Sequence, residues 1–185
     1  MGQARSQLRL RQQDRAYRRQ ALSLEELKKA RDAFRDPAER IRALLADAVP
    51  LHGQTIAFAN VNQSIDSVDA PQQQLPAWLT VELLSELQSA TTDRSSELSK
   101  QIDAGISAAQ KPDATADEEA AQPEMSPAEN QQWEAISTYL KSAVESFEEA
   151  NESLADNKFE PAIDQQRTAI DALKQAEERL LDYRG

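Results

Sequence analysis

The sequence predicts an all-α fold, and two observations lead to that prediction. Only four of the 185 residues are Gly, whereas Gln, Glu and Ala, which lose little free energy on entering a helix, are abundant. Apolar residues also recur at three- and four-residue spacing along much of the chain. Because aromatic residues make up only 5% of the chain, we expect the core to be a seam between helices. The predicted architecture is an elongated helical bundle with a long C-terminal antiparallel helical hairpin.

The first predicted helix begins at a capping box. Ser23 is followed three residues later by Glu26, and apolar residues then repeat at helical spacing as far as Asp36. Asp36 suits the N-cap of a second helix, with Pro37 at its first position. We therefore expect two short helices with a bend between them, after a first segment that is helical only with support from a partner.

The middle of the chain gives a mixed signal. We expect Pro50 to end the second helix, because a proline inside a helix removes a backbone hydrogen bond and clashes with the preceding turn. Residues 50–76 mix apolar residues with Gly, Asn and Pro, so the pattern leaves helix and loop open there. From Ala77 to about residue 110 the apolar spacing predicts one long helix.

The C-terminal part predicts a helical hairpin. Residues 111–126 are rich in Pro, Ala and acidic residues, a composition typical of a flexible linker. Ser126 and Pro127 then form a strong helix start. Two apolar stripes follow, and they are separated only by residues 155–158, a connection short enough to make the two helices antiparallel.

Composition and charge divide the chain into four segments. Residues 1–42 hold twelve Lys and Arg against six Asp and Glu, a net charge of +6, whereas residues 43–185 hold nine against twenty-six, a net charge of −17. The acidic total of −11 therefore conceals a basic end. The predicted segments are a basic N-terminal arm at 1–22, an N-terminal helical region at 23–110, an acidic flexible linker at 111–126 and the C-terminal hairpin at 127–183.

The basic arm leaves three interpretations open. Its arginines can form a solvated helix face that pairs with acidic residues of the same chain or of a second copy, hold the chain to an anionic membrane surface, or attract nucleic-acid phosphate. Only Tyr17 interleaves them, so specific nucleic-acid binding is not expected. Residues 1–6 also fit the M-G-x-x-x-[ST] pattern of N-myristoylation, which would add a lipid anchor. The residues that would contact an anionic surface are Arg5, Arg9, Arg11, Arg15, Arg18 and Arg19.

The composition excludes several kinds of chemistry. Without Cys there is no thiolate nucleophile and no Cys-ligated metal. His52 is the single histidine, so it cannot build a multi-histidine site, and we expect it in a loop. The four scattered glycines cannot form a phosphate-binding loop. The sequence predicts no catalytic residue, no cofactor, no metal site and no enzymatic activity.

Nothing in the sequence has the pattern of a membrane span or a signal peptide. No run of about 18 apolar residues occurs, and the N-terminus lacks the shorter apolar segment of a secretory signal. We therefore expect a cytoplasmic or membrane-associated location. An anchor upstream of Met1 in a longer parent chain stays open.

The hairpin turn resembles a tetratricopeptide repeat (TPR). Between residues 154 and 173, a turn is followed by the aromatic Phe159, the small Ala162 and, on the second helix, the small Ala169. This resemblance implies a TPR-like hairpin over about residues 143–181. Both helices are about twice the usual length and no second repeat follows, so the concave groove of a repeat array is not expected.

The chain is also similar to Gln/Glu/Ala-rich helical proteins found in bacteria beside genes for von Willebrand factor A and MoxR-type ATPases. The features that carry this likeness are Leu87-Gln88 leading to Thr92, and an Ala-x-x-x-Gln-x-x-Ala-Ile texture after Ala143. The resemblance implies a helical accessory or scaffold role and brings no catalytic residue with it.

The sequence therefore predicts a non-enzymatic scaffold that binds another protein. The alternative is attachment to a membrane surface, or to an anionic polymer, through the basic arm, as an accessory of a membrane-associated complex. Trp78 and Trp133 are candidate core residues, and they are also the residues that we would expect at a partner-binding groove, because large aromatic side chains anchor interfaces. The expected partner is another protein, and self-association into a homo-oligomer stays open.

Overall fold

The computed structural model describes residues 2–64, 75–110 and 126–184, with side chains for 12–62, 75–110, 126 and 129–182. Every regular element in these ranges is a helix, which confirms the all-α class. The linker predicted at 111–126 lies, except for Ser126, outside the described residues. The helices are α1 Gly2–Asp32, α2 Pro37–Ser64, α3 Val81–Ala109, α4 Pro127–Ala155 and α5 Phe159–Arg184.

Helices α2 to α5 form an up-down-up-down four-helix bundle. Each packs beside its neighbours in the chain, and α2 closes the ring against α5. Contacts between distant residues show that every neighbouring pair runs antiparallel, as in bundles with sequential connections. These contacts include Arg40 with Gln101, Asp103 with Ser137, Gln132 with the backbone of Arg179, and Arg42 with Glu177.

The bundle core consists of two apolar clusters. The first is built by α2, α3, α4 and α5 together, so the predicted regions 23–110 and 127–183 share one core. The second lies toward the other end of the bundle, where Phe58 and Phe159 contact each other at a centroid distance of 5.4 Å. The largest fully buried apolar side chains are Ile41, Leu44, Leu83, Leu84, Leu98, Ile136, Leu140, Phe147, Leu154 and Leu173.

A buried polar layer separates the two clusters on α3, α4 and α5. The Gln166 amide Nε2 donates to Gln88 Oε1 at 2.9 Å and to Thr55 Oγ1 at 3.1 Å. Gln88 in turn donates to the backbone oxygen of Phe147 at 3.3 Å. Gln88 and Gln166 are fully buried, and these bonds compensate for part of the water that the amides lose on folding, whereas the buried Gln166 Oε1 has no hydrogen-bond partner among the described residues. The layer therefore ties all four bundle helices together at one level.

The hairpin between α4 and α5 has local signals at both its start and its turn. Ser126 and Glu129 form the reciprocal capping box that the sequence predicts. At the turn, Lys158 N–H donates to Ser153 O and Asn157 N–H donates to Leu154 O, the two bonds of a Schellman motif. Asn157 has a φ of 58°, in the left-handed region that asparagine tolerates better than most residues.

Two predicted helix boundaries are wrong. Helix α1 runs without interruption through Ser23, because no Gly or Pro breaks the chain between residues 3 and 36, and the capping-box pattern therefore lies inside a helix. Helix α2 continues through Pro50. Pro50 and Ala46 are both exposed, so water can reach the backbone oxygen that proline leaves without its donor.

The structure also shows which parts of residues 50–80 are helical. His52 lies half-buried on α2, and not in the loop expected for it. Residues 50–64 are helical, 65–74 lie outside the described residues, and 75–80 are non-helical. Helix α3 begins at Val81, after the N-cap Thr80, whose side chain accepts from the Leu83 amide.

Replacing Leu140 by Asp tests whether the α4 stripe is core. Leu140 is fully buried in the first cluster, so an ionised carboxylate there should cost about 4 kcal/mol or more and unfold the bundle. Leu181→Asp on α5, where the leucine is exposed, is the matched control and should change stability little. Circular dichroism melting measures both variants, and an unchanged melting temperature for Leu140→Asp would show that the stripe is not core.

Candidate functional site

The structure places the predicted surface-contact arginines along α1. Arg5, Arg9 and Arg11 lie on the helix backbone, but their side chains are outside the described residues. Arg15 and Arg19 are exposed. Arg18 pairs with Glu86 of α3, and its Nε donates to Glu86 Oε2 at 3.1 Å. At least one arginine of the arm is therefore paired with the acidic part of the same chain.

The two tryptophans lie at different ends of the bundle. Trp78 is half-buried against the second apolar cluster, and its ring lies 6.2 Å from that of Tyr17 on α1. Trp133 is half-buried against the first cluster. The structure does not bring them to one surface, and each packs against core residues.

Helix α1 attaches to the bundle in a different way from the other helices. No α1 residue belongs to either apolar cluster within the described part of the chain. Its two buried side chains there are both acidic, Glu25 and Asp32. Helix α1 is therefore held mainly by polar and ionic contacts.

Arg94 of α3 is the centre of these contacts. The residue is 4% exposed, and its guanidinium meets carboxylates from two other helices. Its Nε donates to Asp32 Oδ2 at 2.8 Å, and its Nη1 donates to Asp47 Oδ2 of α2 at 2.7 Å. Glu25 Oε2 lies 3.7 Å from Nη1, within ion-pair distance. A single buried cation thus joins α1, α2 and α3.

Lys28 and Arg31 complete the network on the α1 side. Lys28 Nζ lies 2.6 Å from Glu25 Oε1 and 2.9 Å from Asp47 Oδ1. Arg31 Nη2 lies 3.1 Å from Asp32 Oδ1. Three cations and three carboxylates therefore balance, as a buried ion network requires. We call Glu25, Lys28, Arg31, Asp32, Asp47 and Arg94 the ion network.

The pKa of Asp47 reflects this balance. Burial opposes ionisation of its carboxyl, but hydrogen bonds from Lys28 and Arg94 outweigh burial and hold the pKa of Asp47 below its usual value. The same contacts outweigh burial at Lys28 and Arg94, and they raise the pKa of each. Both sides of these pairs therefore remain charged at neutral pH.

The outward side of α1 is apolar and basic. The exposed large apolar side chains among the described residues concentrate between residues 17 and 34. Leu24 is 51% exposed, Leu27 66% and Phe34, in the turn after α1, 92%. The full set is Tyr17, Leu24, Leu27, Phe34, Val49 and Leu181.

A groove runs between the end of α1 and the start of α2. It encloses about 400 Å³, and small residues of α2 lie between charged walls. Leu27 and Leu24 precede the groove residue Arg31 by four and seven positions, so the same face of α1 continues from the groove. The lining residues are Arg31, Arg35, Glu39, Arg42, Ala43, Ala46 and Asp47. We call this groove, with Leu24, Leu27 and Phe34, the α1 face.

Sequence reasoning missed the ion network, although one signal was present. The apolar positions of α3 include Leu84, Leu87, Thr91, Leu98 and Ile102, and Arg94 occupies the helical position between Thr91 and Leu98. A cation within an apolar stripe indicates a buried charge that needs carboxylate partners. Those partners come from other helices, so their identity depends on the packing.

The comparisons with known proteins found no match. No protein-family model matches the chain, and no similar curated protein or solved structure was found. Within the described ranges, no helix is sufficiently long and apolar to cross a membrane. No group of three or more His, Cys, Asp or Glu in those ranges could hold a metal ion.

Replacing Arg94 by Met tests the role of the buried cation. Loss of the guanidinium leaves the buried Asp32 and the half-buried Asp47 with fewer cations, and we expect a loss of about 3–5 kcal/mol in the free energy of unfolding. Lys174→Met removes an exposed pair with Asp171 and should cost less than about 1 kcal/mol. Urea unfolding measures both, and equal losses would mean that the network does not stabilise the fold.

The low pKa of Asp47 predicts a loss of stability in acid. A carboxyl with a depressed pKa stabilises the folded state above its ordinary value of 3.8, and this stabilisation is lost as the pH falls through the folded pKa. Asp47→Asn should be less stable than the wild type at pH 7 and lose less stability as the pH falls below about 4. Asp164→Asn, at an exposed pair on α5, is the control. Parallel curves for wild type and Asp47→Asn would contradict the prediction.

Proposed function

We propose that this protein is a non-enzymatic helical scaffold that binds another protein through the α1 face. The observation that carries this proposal is the concentration of exposed large apolar side chains on α1 and its turn. The bundle helices bury most of their apolar residues, so the exposed Leu24, Leu27 and Phe34 stand apart from the rest of the surface. Such exposed apolar groups, bordered by polar residues, are typical of protein-binding surfaces.

The hairpin fits a scaffold role. Ala162 and Ala169, which carry the TPR resemblance, are fully buried, and Phe159 packs against Phe58 of α2. In this chain α2 and α3 complete a bundle with the hairpin, where an array would place further repeats. We propose that the TPR-like hairpin serves as the rigid base on which α1 is displayed.

Attachment to an anionic surface is the second proposal. Arg15 and Arg19 are exposed, and Leu24 and Leu27 on the same helix could enter a lipid interface. A cytoplasmic or membrane-associated location agrees with either proposal. The acidic remainder of the chain, with a net charge of −17 over residues 43–185, would be repelled by such a surface, so we favour a protein partner.

Crosslinking in native extract tests the scaffold proposal. The wild-type chain should give a crosslinked partner that Leu24→Asp/Leu27→Asp loses, because a charge replaces each exposed apolar contact. Leu181→Asp changes an exposed leucine on α5 and should retain the partner. Circular dichroism should show the same helicity for all three chains. Identical crosslinked species for the wild type and the double variant would overturn the proposal.

A further inference from the structure

We propose that the partner bound at the α1 face is an acidic amphipathic helix. This inference rests on the proposed function and adds the chemistry of the partner. It follows from the charges that the ion network leaves outside, from the shape of the groove, and from the position of the exposed leucines.

The ion network sorts the charges of α1 into two sides. Glu25 and Asp32 face inward onto Arg94, so two of the acidic residues of the helix are withdrawn from its surface. The exposed acidic residue that remains between residues 17 and 32 is Glu26. The exposed cations over that same stretch are Arg18, which pairs with Glu86, Arg31, which pairs with Asp32, and Arg19 and Lys29. Helix α1 carries three acids and five bases over this stretch, and its surface there is basic because only one of the acids is exposed.

The groove continues this basic surface. Arg31, Arg35 and Arg42 line it together with the acids Glu39 and Asp47. Lys28 and Arg94 already bind Asp47, and Arg31 and Arg42 already pair with Asp32 and Glu177. None of the ion pairs found among the described side chains engages Arg35, so its guanidinium is available to a carboxylate of a partner.

The shape of the groove suits a helix. Ala43 and Ala46 are the small residues of α2 that line it, and small side chains let a helix approach closely. Leu24 and Leu27 extend the same face of α1 by two turns, so an apolar stripe laid along them would end near the arginines. This surface would therefore recognise a helix with apolar side chains at helical spacing and Asp or Glu beside them.

Two other occupants fit less well. A second copy that docked its own α1 at this face would bring its exposed Arg15 and Arg19, and like charges would repel. A bilayer is too flat to enter a groove between two helices. Both occupants are outcomes of the test below.

The test uses two synthetic peptides of equal length and the full chain. One peptide has Leu at the a and d positions of each heptad and Glu at the other positions. The other peptide has Lys in place of each Glu. Fluorescence anisotropy should show at least about tenfold tighter binding of the acidic peptide, and this affinity should fall as salt is raised. Arg35→Glu and Leu27→Asp should each weaken binding about tenfold, whereas Arg167→Glu on α5 should leave it unchanged.

Several results would overturn the inference. Equal affinity for the two peptides, or no effect of Arg35→Glu and Leu27→Asp, would exclude an acidic helix at this face. Sedimentation of the chain with anionic vesicles, reduced by the same two variants and without peptide binding, would replace the helix by a lipid surface. A dimeric mass by light scattering that Leu27→Asp converts to monomer would replace it by a second copy. If peptide binding fails while the native-extract partner still depends on Leu24 and Leu27, only the acidic chemistry is wrong and the scaffold proposal stands.

Discussion

The position of the first helix depends on one buried guanidinium. Arg94 is buried on α3, where an unpaired cation would cost several kcal/mol. The folded structure therefore has to place carboxylates beside its guanidinium. Asp32 arrives from α1 and Asp47 from α2, each within 2.7 Å of a guanidinium nitrogen. Removal of one partner would destabilise the fold, although apolar residues of similar volume could replace the whole network without loss. The network also positions α1. It determines which side of α1 faces the bundle.

Two kinds of interaction hold the helices of this protein together. Helices α2 to α5 share apolar clusters, which the screening of charges by salt does not weaken, whereas α1 is attached through ion pairs and a Tyr17–Trp78 contact. Regions with few buried apolar contacts open at lower free energy than the core does. Within the described structure, helix α1 has the fewest apolar contacts to the rest of the protein, so we expect it to open at a lower free energy than the bundle. The same helix carries the exposed Leu24 and Leu27.

Much of the fold could be predicted from the sequence because its signals are local. The capping box at Ser126 and the short connection at residues 155–158 depend on neighbours within one turn, and the structure confirms both. Pro50 misled the prediction because an exposed position lets water replace the lost hydrogen bond, which only the packing reveals. The ion network also depends on the packing of the helices, because Arg94 and Asp32 are 62 residues apart in the sequence. The partners of Arg94 could therefore not be predicted.

The buried amides of Gln88 and Gln166 have a consequence for the alignment of the helices. Sliding one helix by a turn, about 5.4 Å, would move an amide into an apolar cluster and leave it without a partner. Apolar contacts alone tolerate such slippage better, because one leucine replaces another at nearly equal free energy. The layer therefore acts as an axial reference for the bundle. If the connections between helices were lengthened, the position of each helix along the bundle axis, measured from the Gln88–Gln166 layer, should stay the same.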